Sequence, residues 1–195
     1  MPRTPLSGRP ILVVFQEPLT TDGRSAVDSP DGNLLGRLRA LEHLSPVVVP
    51  ATALAAGDLL APLIASQIWQ IFQNGDDAAL TISATSPGSE SPGQAPGPEE
   101  IARWLALTVG RVLGGAGRAV DLVLAGEDLG AAVQERLSVE GGISVDQPSG
   151  GAPVMRAIGS PLFFVRLARP DPDLVVDAVE RLRRMDPDRL ALRPY

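Results

Sequence analysis

The chain has 195 residues, 44% of them hydrophobic, a net charge of −6 and a pI near 4.8, which suits one globular domain of ordinary size with a single substantial core. All 17 basic residues are arginine, cysteine is absent and His43 is the one histidine, so lysine Schiff bases, P-loop lysines, thiol nucleophiles, disulfides and thiolate metal sites are excluded. Arginine does not release its proton at working pH and so cannot serve as a general base.

The abundance of Arg, Ala, Gly and Pro fits the codon bias of a GC-rich genome as the source of the missing lysine, the alternative being selection against lysine modification. The arginines are scattered except for Arg181, Arg183 and Arg184, so no basic stripe invites a nucleic acid. Residues 1 to 10 lack an apolar h-region, and no run reaches the roughly 18 apolar residues of a membrane span. A cytoplasmic location is expected.

In chain order, Ile11 to Phe15 predicts a strand buried on both faces. The polar stretch from Thr20 to Asn33, with Asp22-Gly23, Ser29-Pro30 and Asp31-Gly32, predicts a long loop. Leu34 to Leu44 carries apolar residues at helical spacing, which places His43 late on a helix. Val47 to Val49 predicts a second strand. Asp58 is expected to cap a helix running to about Asn74, with Pro62 in its first turn. Ala79 to Ala84 predicts a third strand.

Residues 85 to 98 have the Ser-Pro-Gly composition of a mobile linker. Pro98 followed by Glu99 and Glu100 starts a helix that Gly114-Gly115 ends. Val120 to Ala125 predicts a strand, Leu129 to Leu137 a helix, and Ile143 to Val145, Val154 to Ile158 and Leu162 to Leu167 further strands. Asp171-Pro172 caps a last helix through Arg184, with Leu174, Val175, Ala178, Val179 and Leu182 facing inward. Strands alternating with helices predict one α/β domain over residues 1 to 195, built on a mostly parallel, doubly wound, Rossmann-like sheet with helices on both faces.

Ligands of such sheets bind beyond the carboxyl ends of the strands. Two segments qualify. One is the loop after the first strand, with Glu17, Asp22, Asp28 and Asp31; the other is Gly126-Glu127-Asp128, leading to Gly130 at a helix start. If the two strands are neighbours, these carboxylates share one rim, where they could hold Mg²⁺ or act as a hydrolytic pair, or serve only as turn formers and caps. Neither G-x-G-x-x-G after the first strand nor G-x-x-x-x-G-K is present.

Ile11 to Val14, Pro18, Asp22-Gly23 and Ser29-Pro30, together with Asp121-Leu122-Val123-Leu124-Ala125-Gly126 and Ala131 to Leu137, resemble two patches of the beta subunit of electron transfer flavoproteins. The resemblance implies an electron-transfer subunit that pairs with a larger flavin-carrying subunit and presents its FAD to redox partner proteins. It implies an AMP site whose residues would be Glu17, Asp22, Gly126, Glu127, Asp128 and Gly130. Glu127 and Asp128 stand where that family holds a phosphate on helix amides, so the site is expected to be degenerate and AMP binding weak. Two rival readings are a non-catalytic α/β scaffold or assembly subunit and a small Mg²⁺-dependent or carboxylate-based hydrolase.

Overall fold

A computed structural model describes residues 8–16, 34–83, 96–115, 119–148 and 151–185. The elements in chain order are β1 (Ile11–Phe15), α1 (Leu34–Ala40), β2 (Leu44–Pro50), a 3₁₀ segment (Ala51–Leu59), α2 (Leu60–Gln73), β3 (Asp77–Ser83) and α3 (Pro98–Gly114). They continue with β4 (Asp121–Ala125), α4 (Glu127–Arg136), β5 (Gly142–Asp146), β6 (Val154–Ala157), β7 (Phe163–Leu167) and α5 (Pro172–Arg184).

The seven strands form one sheet in the order β2-β3-β1-β4-β7-β6-β5. The pairs β2–β3, β3–β1, β1–β4 and β4–β7 are parallel, whereas β6 runs antiparallel to both β7 and β5. The expected α/β architecture is thus present, with a mixed rather than purely parallel far half. β1 and β4 pair in register from Ile11↔Asp121 to Phe15↔Ala125, and both strands are buried throughout. Their runs of β-branched and other apolar residues feed two cores at once, as centrally placed strands require.

Alternate residues face opposite layers. Leu12, Val14, Leu80, Leu122 and Leu124 pack with α2, α3 and α4 on one side, where Ile68, Leu105 and Val109 fill the interior. Ile11, Val13, Phe15, Val123 and Val165 pack with α1 and α5 on the other, against Leu38, Val175 and Val179. From β1 the chain winds through α1 toward β2; from β4 it winds through α4 toward β5. The winding direction therefore reverses between β1 and β4.

Several expected boundaries shift. α1 stops at Ala40, and His43 is not helical but sits in the turn before β2 with φ 58°. β2 begins at Leu44, three residues early, because its ladder to β3 runs unbroken from Leu44↔Asp77 to Pro50↔Ser83. The start of α2 falls at Leu60, with Leu59 rather than Asp58 at the N-cap position and no side-chain cap, because the chain is already wound as a 3₁₀ helix from Ala51. Leu174 is 37% exposed rather than inward, at the edge of the apolar stripe formed by Val175, Ala178, Val179 and Leu182. Glu17, Asp22 and the rest of the loop after β1, and the linker up to residue 95, lie outside the described residues. Among the described residues no helix is long and apolar enough to cross a membrane.

Candidate functional site

Two rims of the sheet carry different chemistry. At the amino ends of the strands, Asp77 accepts a hydrogen bond from the Ile11 amide (2.8 Å) and pairs with Arg183 (2.8 Å), while Asp121 accepts from the Phe163 amide (3.4 Å) and lies 3.6 Å from Arg9. Burial raises both carboxyls, that of Asp121 to about 6, with the cationic partners and amide donors opposing the rise. Arg183 also donates to the carbonyls of Glu42 (2.9 Å) and His43 (3.4 Å), and His43 Nδ1 lies 3.2 Å from Asp76. Each buried aspartate supplies the acceptor that a neighbouring strand's amide would otherwise lack, so this rim is a structural stitch. The signal was an acid directly before a buried apolar run, Asp77-Ala78-Ala79-Leu80 and Asp121-Leu122-Val123-Leu124.

The carboxyl rim is built around Gly126. Its φ of 140° and ψ of 134° lie in a region closed to side chains, and an added Cβ would meet Gln16 and Leu129 at 3.5 Å. Its amide donates to Leu167 O at the end of β7 (2.9 Å), and its carbonyl accepts from Gly130 N (3.1 Å). The chain therefore passes from β4 into α4 with no intervening loop, and α4 begins at Glu127, two residues earlier than the periodicity of its apolar face predicts. No side chain caps that start, which leaves the Glu127, Asp128 and Leu129 amides without intrahelical acceptors.

Gln16 closes the other side of the gap. Its amide donates to Ala125 O (3.1 Å), and its side chain reaches the Pro98 carbonyl at the start of α3 (3.0 Å). α3 is likewise uncapped by a side chain. The rim between β1 and β4 thus gathers the Gln16 amide group, the bare start of α4 and the exposed carboxylates of Glu127 and Asp128. Beside it, a cleft of about 590 Å³ runs between α3 and α4, its walls including Glu99, Asp128, Arg103 and Arg136.

Of the site residues expected from sequence, Gly126, Glu127 and Asp128 meet at this rim. Gly130 does not line it: the residue is buried on the flank of α4, where a Cβ would overlap the side chain of Arg166. Glu17 and Asp22 fall outside the described residues. Gln16 and Arg166 were missed, because a lone glutamine at a strand end and an arginine inside a strand have no spacing that marks them. Among the described residues no group of three His, Asp or Glu side chains stands together as a metal site.

Neither the family models nor the curated proteins give a match to the sequence. Solved structures do resemble it. A protein of Bordetella bronchiseptica, a domain of unknown function (DUF1537) with bound citrate in a domain-swapped dimer, superposes with a TM-score of 0.62 at 19% identity over 90% of this chain. A DUF1537 protein of Haemophilus influenzae gives 0.58 at 13% over 90%, and a protein of Salmonella typhimurium LT2, provisionally named a tRNA synthase, gives 0.59 at 17% over 89%. The likeness is one of fold. This chain spans only 41%, 41% and 40% of the lengths of those three chains, respectively.

These neighbours overturn the resemblance to the electron transfer flavoprotein beta subunit, and with it the electron-transfer function and the larger flavin-carrying partner. The physical reason is visible at the turn where the resemblance was placed. Asp121 to Gly126 does form a strand and glycine turn, but Asp-Leu-Val-Leu is a general solution for a buried parallel strand, and the phosphate-holding loop that should follow is missing because α4 starts at once.

Proposed function

We propose that the chain is a small-molecule-binding α/β domain whose site is the gap between the carboxyl ends of β1 and β4, and that its ligand is a small hydroxylated carboxylic acid. The observation that carries this reading is the meeting of the winding reversal with an uncapped helix start at Gly126, the place where open α/β sheets accept ligands. A carboxylate suits the amides of the exposed Glu127 and Asp128, by both hydrogen bonding and the helix dipole. Hydroxyl groups suit Glu127, Asp128 and Gln16, which offer acceptors for them. The Bordetella protein of the same fold binds a hydroxy acid, citrate, which supports the class.

Charge narrows it further. Two like charges at 4 Å cost about 1 kcal/mol in water and about 4 kcal/mol at the effective dielectric of a protein surface. Glu127 and Asp128 therefore favour one carboxylate and several hydroxyls over a polyanion.

Calorimetric titration with gluconate, citrate, glucitol and AMP tests the reading. Gluconate should bind more tightly than citrate or AMP, and glucitol, with no carboxylate, more weakly than gluconate. Gln16→Leu should weaken gluconate roughly three- to ten-fold, the loss expected of one hydrogen bond. Neutralising the rim with Glu127→Gln and Asp128→Asn should improve citrate and AMP while reducing glucitol. Absence of binding by every acid, or binding indifferent to all three substitutions, would sink the proposal.

A further inference from the structure

We infer that Arg166 is a positioning residue for this rim, a reading that rests on the proposed gap between β1 and β4: it fixes the first turns of α4 and so the direction of the free amides. Arg166 lies on β7 opposite Leu124, and its side chain is exposed on the α4 side of the sheet. It crosses α4 over Gly130, where a Cβ would overlap its Nε and approach its Cδ and Cγ. Beyond that crossing, Nη1 donates to Gln134 Oε1 (2.8 Å) and Nη2 makes a longer contact to the Glu127 carbonyl (3.4 Å). Glu127, Gly130 and Gln134 are spaced at i, i+3 and i+7, so they form one stripe of the helix, and one guanidinium ties that stripe together across two turns.

The arrangement explains a residue that helix propensity disfavours. A glycine inside a ten-residue helix weakens it relative to alanine, and so short a helix is marginal without tertiary contacts. Gly130 is there because the arginine occupies the space of its side chain. α4 follows β4 through Gly126 alone, with no loop to absorb misalignment, and Leu129 and Val133 bury its inner face in the core. A helix start of this kind binds well only if its amides point at the ligand before it arrives. Because its guanidinium is directed at helix groups on the flank, Arg166 acts through α4 and not by touching the ligand.

The experiment compares wild type, Arg166→Met and Arg166→Lys by three measurements: gluconate affinity, urea midpoint, and hydrogen exchange of the Gly130 to Gln134 amides, which begin the internal hydrogen-bond ladder of α4. Arg166→Met should weaken gluconate roughly three- to ten-fold and speed exchange of the Gly130 to Gln134 amides, with the urea midpoint nearly unchanged because the residue is exposed. Arg166→Lys should restore part of the affinity, since a single ammonium reaches one acceptor but not both. If wild type binds and Arg166→Met binds equally well, the inference falls. If wild type does not bind gluconate, the proposed ligand falls instead, and unchanged exchange at Gly130 to Gln134 in Arg166→Met would still overturn the positioning role.

Discussion

Asp121 shows how one buried group sets a pH response. Its carboxyl is raised to about 6 from an ordinary 3.8, chiefly by burial, which Arg9 only partly offsets. Well below pH 3.8 the folded and unfolded states are both protonated there. As pH rises toward 6 the unfolded chain ionises first, so the stability contributed by this group declines through that window and stays low above it, by up to about 3 kcal/mol. Asp121→Asn should remove this decline while keeping an acceptor for the Phe163 amide. Urea unfolding of both proteins at pH 4 and pH 7 checks it: the difference in stability between wild type and variant should move in favour of the variant at the higher pH, and an unchanged difference would refute the assignment. Legibility at this scale followed backbone demand. Gly126 and the Asp171 cap were readable because a turn and a helix start each require special residue types. Gln16 and Arg166 were not, because their roles depend on partners 82 and 32 positions away along the chain.

At the scale of elements, caps and ladders decide boundaries more than periodicity does. α5 was placed correctly because Asp171 accepts from the Asp173 (3.0 Å) and Leu174 (3.2 Å) amides and Pro172 starts the helix. Asp171→Ala should cost about 1 kcal/mol, seen as a thermal midpoint roughly 2–4 °C lower. Arg37 and Asp173 pair between α1 and α5, but both are largely exposed, so Arg37→Gln should change the midpoint hardly at all. A larger loss from Arg37→Gln than from Asp171→Ala would reverse that ranking. The start of α2 and the α1–β2 boundary were misplaced for the opposite reason. The apolar spacing of Leu34 to Leu44 fits a helix, yet Leu44 is taken by the strand because its partner Asp77 is presented by β3, a contact that no local pattern reveals.

At the scale of the whole molecule, strand order determines which parts open alone. That the sheet is α/β and doubly wound was legible, since alternation of strand and helix leaves few other solutions. That β1 neighbours β4, and that β6 turns antiparallel, was not, because register and order are set by long-range pairing. This order predicts a gradient of local stability. β1 and β4 are central, wholly buried and paired on both sides, so their amides should exchange only through global unfolding. β5 is at the end of the sheet, with Ile143 40% exposed and its register to β6 shifting between Ser144 and Asp146. Few buried apolar contacts hold it, so it should open locally without disturbing the rest. β2, also at an edge but paired with β3 over seven residues, should fall between them. Native-state hydrogen exchange in rising urea gives the test: opening free energies for Leu12 to Val14 and Leu122 to Leu124 should equal the global value, with those of Ile143 and Ser144 lowest. Equal protection of β5 and β1 would mean that the sheet unfolds as a single unit, or that something covers the β5 edge in solution. Repeating the exchange after dilution separates the two, since a partner copy would be lost and the β5 amides would then become fast.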